Sequence, residues 1–283
     1  LNRVMSCFEV LNHKGDINHV TGDIHYVTYF LPKSKTLLTI HDLAPLKTST
    51  GIKHGVLKFF WYQLPIWSVK YITVISEFTK MELTESVQIN PDKIRVVPNP
   101  VPVGIEFQPK NELSSTPVLL QVGTAYNKNL EGLIEAINGL KVHLRIIGTL
   151  SNAQKQLLSE STIQYTNINN LSYKEVLEEY ALCDIVCFAT FYEGFGLPIL
   201  EAQATGRPII TSDRCAMPET AGNGALLIDP KDSNNYRQAI QTLIADESKR
   251  NDLVQKGQIN IKRFSAEAIA NQYLELYKSM ANG

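Results

Sequence analysis

The segment Phe191-Tyr192-Glu193-Gly194-Phe195-Gly196-Leu197-Pro198-Ile199-Leu200-Glu201-Ala202 lies between two apolar runs, Asp184 to Thr190 before it and the residues following Gly206-Arg207-Pro208 after it. The order reads strand, Gly-rich turn, helix, strand. Pro198 suits the first turn of a helix, where a missing N–H costs no intrahelical bond. Gly194 and Gly196 let the backbone approach a bound group closely. A Gly-rich turn feeding a helix N-terminus offers N–H groups and a positive dipole end to an anion, most often a phosphate. Glu193 stands on the turn, and Glu201 lies roughly one helical turn inside the helix. The pattern predicts an anion cradle flanked by two carboxylates.

The region around this segment alternates strands and helices. Val118 to Val122 reads as a strand, Gly123-Thr124-Ala125-Tyr126-Asn127-Lys128-Asn129 as a turn, and the next helix carries Leu130, Leu133, Ile134, Ile137 and Leu140 on one face. A strand over 143–147, a helix near 151–160 and a strand near 163–167 follow. Ser172-Tyr173-Lys174-Glu175 is a capping box opening a helix that runs to Leu182. Beyond the central segment come strands at 208–212 and 225–228, a helix over 235–245 and a final helix over 266–279, with Ile269, Tyr273, Leu276 and Tyr277 available for docking. This alternation predicts a parallel, doubly wound sheet. Lys128 falls in the first βα turn, at the same carboxyl edge as the Glu193 turn. Alone it reads as a solvated loop lysine; together with a helix N-terminus it makes a diphosphate site, the lysine acting as a point charge.

The N-terminal third is less regular. Val4, Phe8 and Leu11 fall at helical spacing, Lys14-Gly15-Asp16 is a polar turn, and residues 23–30 read as a short strand or loop. Thr36 to Ile40 is a buried strand ending at His41-Asp42-Leu43. Ligands of open α/β sheets bind along that edge, which places His41 better than His13, His54 or His143 to meet one. The aromatic stretch from His54 to Val69 reads either as a helix kinked at Pro65 and packed on the sheet, or as a segment lying on a membrane surface. Tyr71 to Ile75 is a strand, Ser76 caps the helix over 77–87, and Arg95 to Val97 is a third strand. The cluster Pro98-Asn99-Pro100-Val101-Pro102 suits neither helix nor central strand and marks the linker.

Bulk properties agree. A chain of 283 residues exceeds the usual single-domain size, and 44% hydrophobic with 19% charged residues is an ordinary globular composition. No apolar stretch approaches the roughly 18 residues of a membrane span, and no secretory leader is visible, so the expectation is a cytoplasmic protein. Cys7, Cys183, Cys187 and Cys215 form no metal or disulfide pattern and read as reduced thiols filling core space. Residues 1–104 carry 11 Lys and Arg against 8 Asp and Glu. That small excess is compatible with an anionic surface and equally with a solvated face. Nothing points to nucleic acid.

The motif Glu193-Gly-Phe-Gly-Leu-Pro-Ile-Leu-Glu201 resembles the signature of the GT-B retaining glycosyltransferases, specifically glycosyltransferase family four. Gly123-Thr124 with Lys128-Asn129-Leu130, Thr39-Ile40-His41-Asp42-Leu43, Val74-Ile75-Ser76-Glu77-Phe78-Thr79, Val96-Val97-Pro98-Asn99 and Met217-Pro218-Glu219 resemble it too, in order, from about His19 to the C-terminal helix. The resemblance implies two Rossmann-like doubly wound domains facing across a cleft. They would comprise an acceptor-side domain over 1–104, a donor-binding domain over 105–263, and a C-terminal helix over 264–283 packing back toward the first. It implies that Lys128 holds the diphosphate of a nucleotide sugar and that Glu193 faces the transferred sugar. Gly123 and Thr124 would flank the donor, the amides of Phe195, Gly196 and Leu197 would meet phosphate and sugar, and Glu201 would bind the ribose. His41 would reach in from the first domain, with Ser76, Asn99 and Glu219 as secondary candidates. No metal and no cofactor are implied. The implied reaction is retaining transfer from a UDP- or GDP-sugar to a saccharide or lipid-linked acceptor in bacterial surface polysaccharide or lipopolysaccharide synthesis. It would take place in the cytoplasm, with peripheral contact at the inner membrane face. Two departures stand out. The arginine the family often places near Thr124 is missing, and a first strand with its Gly-rich loop, expected before His19, is not in the sequence, so the N-terminal domain reads as incomplete. A non-catalytic binding or scaffold protein and a nucleotide-sugar epimerase are the competing readings.

Overall fold

The computed structural model describes residues 2–110 and 112–282, with side chains from residue 5 onward; the side chain of Val4, assigned above to an apolar helical face, lies outside the described residues. The chain forms two compact units, residues 1–99 with 267–283, and residues 100–266.

In the first unit, β1 (Asn18–Val20), β2 (Thr36–Ile40), β3 (Tyr71–Val74) and β4 (Ile94–Val96) form a parallel sheet in the order β1-β2-β3-β4. β2 is buried along its whole length, as an unbroken apolar run demands of a strand covered on both faces. Helices α1 (Asn2–Asn12), α2 (Ala44–Thr48), α3 (Gly51–Leu57), α4 (Leu64–Ser68) and α5 (Glu77–Ser86) complete its main segment. Ser76 caps α5 by accepting from the Thr79 amide at 3.0 Å.

Two readings of this region change. Residues 25–30, expected as a short strand or loop, are a 3-10 helix, and the strand is β1, just before them. The aromatic stretch is not a helix kinked at Pro65: α3 runs into a π-helical turn over Lys58–Gln63 and then α4. The two changes have one cause. Pro65 has no N–H, so the carbonyls of Trp61 and Phe60, its partners in α and π register, need donors from elsewhere. His25 Nδ1–H donates to Trp61 O at 2.9 Å and the Tyr29 hydroxyl to Phe60 O at 2.5 Å. Both donors come from the 3-10 helix.

In the second unit, β5 (Val118–Val122), β6 (His143–Ile147), β7 (Gln164–Ile168), β8 (Ile185–Phe188), β9 (Ile209–Ser212) and β10 (Leu226–Ile228) are all parallel, in the order β10-β9-β8-β5-β6-β7. The helices are α6 (Leu130–Ile137), α7 (Asn152–Glu160), α8 (Tyr173–Leu182), α9 (Leu197–Thr205), α10 (Met217–Ala221), α11 (Ser233–Ala245) and α12 (Glu247–Asn260). Leu133 and Ile137 of α6 join Leu144, Ile146, Ile185 and Ile240 in the core. The capping box Ser172–Glu175 forms as expected, and Ser151–Gln154 forms a second one. Helix α12 escaped the sequence reading because its buried face is largely polar: Arg250, Leu253, Gly257 and Asn260. Arg250 donates to the carbonyls of Leu243 and Ile244, satisfying the C-terminal end of α11. The strand order reverses between β5 and β8, the place where a doubly wound sheet opens a crevice at its carboxyl edge.

The last helix, α13 (Ala266–Ala281), belongs from Glu267 onward to the first unit. Leu276 and Met280 pack on Leu37 of β2. His19 lies between the Tyr277 hydroxyl (2.6 Å) and Thr39 Oγ1 (2.7 Å), and Thr39 meets Thr73 at 2.6 Å. Burial, helped by the charge of His41, lowers the His19 pKa from 6.5 to about 4. The unfolded chain therefore takes up this proton first as pH falls, so stability present above pH 6.5 is lost progressively down to about pH 4. The loss is on the order of 1–3 kcal/mol, discounted for partial solvent access. Urea unfolding at pH 7, 5.5 and 4.5 checks this: His19→Gln should flatten that part of the profile.

Candidate active site

Gly123 follows β5 with φ of +87°, and a β-carbon there would sit 3.1 Å from Lys128 Cγ. The lysine side chain lies folded back over the glycine. Buried Gln121 ties the ends of this turn together, its amide donating to Gly123 O (3.1 Å) and Lys128 O (3.0 Å). Thr124 donates to Thr149 O at 2.7 Å. Asn129 adopts the left-handed conformation that asparagine tolerates, φ of 56°, and its side chain donates to Pro230 O at 2.7 Å.

The loop after β8 is bonded to this turn. Phe191 N donates to Asn127 O at 2.8 Å, and Asn127 Nδ2 donates to Tyr192 O (3.0 Å) and Glu193 Oε1 (3.3 Å). Lys128 Nζ and Glu193 Oε1 form a direct ion pair, both side chains partly exposed. The same ammonium lies 4.9 Å from the centre of the Phe188 ring, a cation–π placement. The two strands that flank the switch point thus each supply one charge to a single spot.

Gly196, with φ of +94°, is the N-cap of α9, which carries no side-chain cap. A β-carbon on Gly196 would come within 2.7 Å of Met217 Cε. The Phe195 side chain is buried edge-on against Phe264, ring centres 5.7 Å apart, and its carbonyl accepts from Thr220 Oγ1 at 2.6 Å. Leu197 is the first residue of α9.

Glu201 is 7% exposed and accepts from the hydroxyls of Tyr180 (2.7 Å) and Tyr173 (3.2 Å). Burial raises its pKa, and the two hydroxyls oppose that rise. The same burial, with Glu201 nearby, pushes both tyrosines upward. They lie seven residues apart on α8, one face of the helix.

Of the residues singled out in the sequence, Gly123, Thr124, Lys128 and Glu193 share one cluster, and Phe195, Gly196 and Leu197 continue the same loop. Glu201 lies deeper in α9, under its two tyrosines. Glu219 is half-buried on α10. His41, Ser76 and Asn99 belong to the first unit. His41 meets Thr21 O at 2.6 Å; a carbonyl only accepts, so Nε2 carries the proton. Sequence reasoning missed Gln121, Asn127, Tyr173 and Tyr180. Asn127 and Tyr173 stood inside quoted motifs, but their bonds run to other loops and helices and leave no mark in spacing. Among the described residues, no group of three or more His, Cys, Asp and Glu is arranged to hold a metal, and no helix is long and apolar enough to cross a membrane.

A doubly wound unit with this charged pair at its switch point and a second parallel α/β unit in the same chain make up the GT-B architecture. The model of the glycosyl transferases group 1 family matches residues 104–259, and the chain belongs to that family of sugar-transferring enzymes. It is 28% identical to O-antigen chain mannosyltransferase B of Escherichia coli over 90% of this chain and 73% of that protein. It is 25% identical to O-antigen chain mannosyltransferase RfbU of Salmonella typhimurium over 73% of this chain and 60% of that protein, so it spans about three-fifths of the latter. Among solved structures, sucrose-phosphate synthase from Thermosynechococcus elongatus superposes with a TM-score of 0.83 at 19% identity, covering 99% of this chain and 77% of that one. HepE from Anabaena in complex with UDP-glucose superposes with a TM-score of 0.78 at 15% identity, covering 98% and 82%. At these identities the structures speak for the fold.

Proposed function

We propose that this chain transfers a sugar, with retention, from a UDP- or GDP-linked donor to a saccharide or lipid-linked acceptor of a bacterial surface polysaccharide. The observation that carries the reading is the Lys128–Glu193 pair at the β5/β8 switch point, beside the N-terminus of α9. In this reading Lys128 exchanges Glu193 for the donor's distal phosphate. The bond between the anomeric carbon and the phosphate oxygen breaks, and Lys128 with the dipole of α9 stabilises the charge that grows on the leaving diphosphate. The acceptor oxygen bonds the anomeric carbon on the same face, and its proton passes to the leaving phosphate. Glu193, released from the lysine, faces the sugar hydroxyls, and Glu201, held by Tyr173 and Tyr180, receives the ribose. No metal ion takes part in this reading.

The two relatives named above are mannosyltransferases, which makes a mannosyl donor the first to test. A thermal-shift screen of UDP-, GDP- and ADP-sugars checks the donor class, since a ligand at 100 times its Kd adds about 2.7 kcal/mol to stability. One nucleotide family should raise Tm; no shift from any, at millimolar concentration, would favour the scaffold reading.

The membrane-surface reading is part of the same proposal. Ile52, Val56, Phe59, Phe60 and Trp67 are all exposed along α3, the π turn and α4, with exposed Lys53 and Lys70 nearby. Phe59 meets Phe60 and Trp67 edge-on at 5.2 and 6.2 Å, so three rings share one surface. Trp61 instead turns inward and donates to Asp23 at 2.6 Å. Apolar rings beside lysines suit an anionic lipid surface. The partition coefficient onto vesicles containing anionic lipid should fall at least about tenfold per side chain removed, hence about a hundredfold in Phe60→Ser/Trp67→Ser, the scale of the transfer free energy of two large side chains. Equal sedimentation would remove this contact from the account.

A further inference from the structure

The strands of the first unit are parallel, so the segments just before β2, β3 and β4 meet at one edge of the sheet. Those segments carry Lys33 and Lys35, Lys70, and Lys93, all exposed. A pocket of about 200 Å³ opens at this edge, between α4 and the loop from α5 to β4. Its walls present Lys33, Lys93, Gln88, Asn90 and Trp67, and its floor is buried Ile66, Val69 and Ile72. Among the described residues no carboxylate lines it, and neither Lys33 nor Lys93 is in an ion pair. The walls are held by main-chain bonds. Buried Gln63, on the π turn, donates to Gln88 O at 3.0 Å and accepts from Gln88 N at 2.8 Å, and Lys70 N donates to Lys33 O at 3.0 Å. Asn90 Oδ1 accepts from the Asp92 amide at 3.0 Å, so the group it offers a ligand is Nδ2–H.

Three features identify the occupant. The first is the lining, since two ammoniums, two carboxamides and an indole N–H with no carboxylate select an anion. The second is size. The pocket is smaller than the roughly 300–1,000 Å³ of most small-molecule sites, which suits a phosphodiester with a small head and not a nucleotide sugar. The third is place. Trp67 is shared with the exposed surface on which Phe59 meets Phe60 and Trp67 edge-on, so an anion held here lies at the rim of the face that meets lipid in the reading above. His41 follows the other end of β2, about 16 Å away along a five-residue strand. A molecule in this pocket is therefore neither the donor nor the reacting end of the acceptor.

We propose that this pocket holds the phosphodiester headgroup of an anionic membrane lipid, with Lys33 and Lys93 on the phosphate and Gln88, Asn90 and the Trp67 indole bonding its oxygens. The proposal rests on the membrane-contact reading. The chain has two tryptophans, Trp61 and Trp67, so nitrogen-15 labelling gives two indole signals, assigned with Trp61→Phe. Titration with dihexanoyl phosphatidylglycerol below its micelle concentration should shift the Trp67 signal and leave that of Trp61, whose N–H is bonded to Asp23. Lys33→Gln/Lys93→Gln should weaken the binding at least about tenfold, the scale of two charge-assisted contacts. Gln88→Glu, which sets a carboxylate in the wall and keeps the main-chain bonds to Gln63, should weaken it comparably. Lys35→Gln/Lys53→Gln, which removes the same charge outside the pocket, should change it less than twofold. No shift at Trp67, or an equal loss in both lysine pairs, would overturn the pocket. Inorganic phosphate binding as tightly as the short-chain lipid would overturn the headgroup assignment. Sedimentation with vesicles of equimolar phosphatidylglycerol and phosphatidylcholine separates the two readings. A Trp67 shift in a protein that does not sediment would uphold the pocket and sink the membrane contact, and sedimentation without the shift would do the reverse.

Discussion

Lys128→Ala is expected to lower kcat for release of nucleoside diphosphate by about 10²–10³-fold, the scale of losing one preorganised charge that meets the developing oxyanion. The fold should barely notice. The Lys128–Glu193 pair is partly exposed, and such pairs contribute about 0–1 kcal/mol to stability. The same contact is therefore weak as a structural bond and strong as a transition-state contact, and the two measurements separate the roles. Glu193→Gln should also cut kcat. The double variant should fall short of the sum of the two single losses, because the two residues act on one sugar diphosphate. Initial rates by coupled nucleoside-diphosphate detection, with Tm measured in parallel, check both. A Tm drop matching the loss of rate would mean that the pair is structural.

Asp184→Ala should be among the most destabilising single substitutions in the second unit, about 3 kcal/mol. Asp184 is 1% exposed and stands immediately before β8. Its carboxylate accepts from Lys110 Nζ (2.6 Å), the Ser114 amide (3.3 Å) and the Val118 amide (2.7 Å), fastening the segment before β5 to the start of β8. Alanine leaves the Val118 amide buried without its partner and frees the segment that carries Lys110. The side chain of Lys110 is about one-third exposed, so its ammonium finds water, which keeps the loss below that of a fully buried pair. Asp184→Asn should recover part of the loss, since its side-chain oxygen still reaches Val118 N. Urea denaturation checks the series, with an unchanged m-value marking a true stability effect.

Much of the second unit was legible in the sequence because its signals are local. Apolar runs of four or five residues, a capping box at Ser172, and glycine at the φ-positive positions 123 and 196 each announce one element. The Lys128–Glu193 pair was legible because two βα turns of a parallel sheet must end on one edge, whatever their separation along the chain. What was not legible depends on contacts between distant residues. The π turn at Lys58–Gln63 exists because His25 and Tyr29 supply donors to carbonyls that Pro65 leaves open. The depth of Glu201 under Tyr173 and Tyr180 follows from how α8 packs on α9. Helix α12 buries arginine and asparagine rather than an apolar stripe, so periodicity could not find it. Trp61 and Trp67 look alike in an aromatic run, and only the π turn sends one inward and the other out.

The central claim is that Lys128 and the N-terminus of α9 form the diphosphate locus of a donor site. Calorimetric titration with nucleoside diphosphate and nucleoside monophosphate, in the base the thermal-shift screen selects, tests it without any acceptor. The account predicts that the wild type binds the diphosphate at least about tenfold more tightly, the scale of a charge-assisted contact of 1.5–3 kcal/mol. Lys128→Ala should bring the two affinities together while leaving the monophosphate unchanged. A preference for diphosphate that survives intact in Lys128→Ala would contradict it.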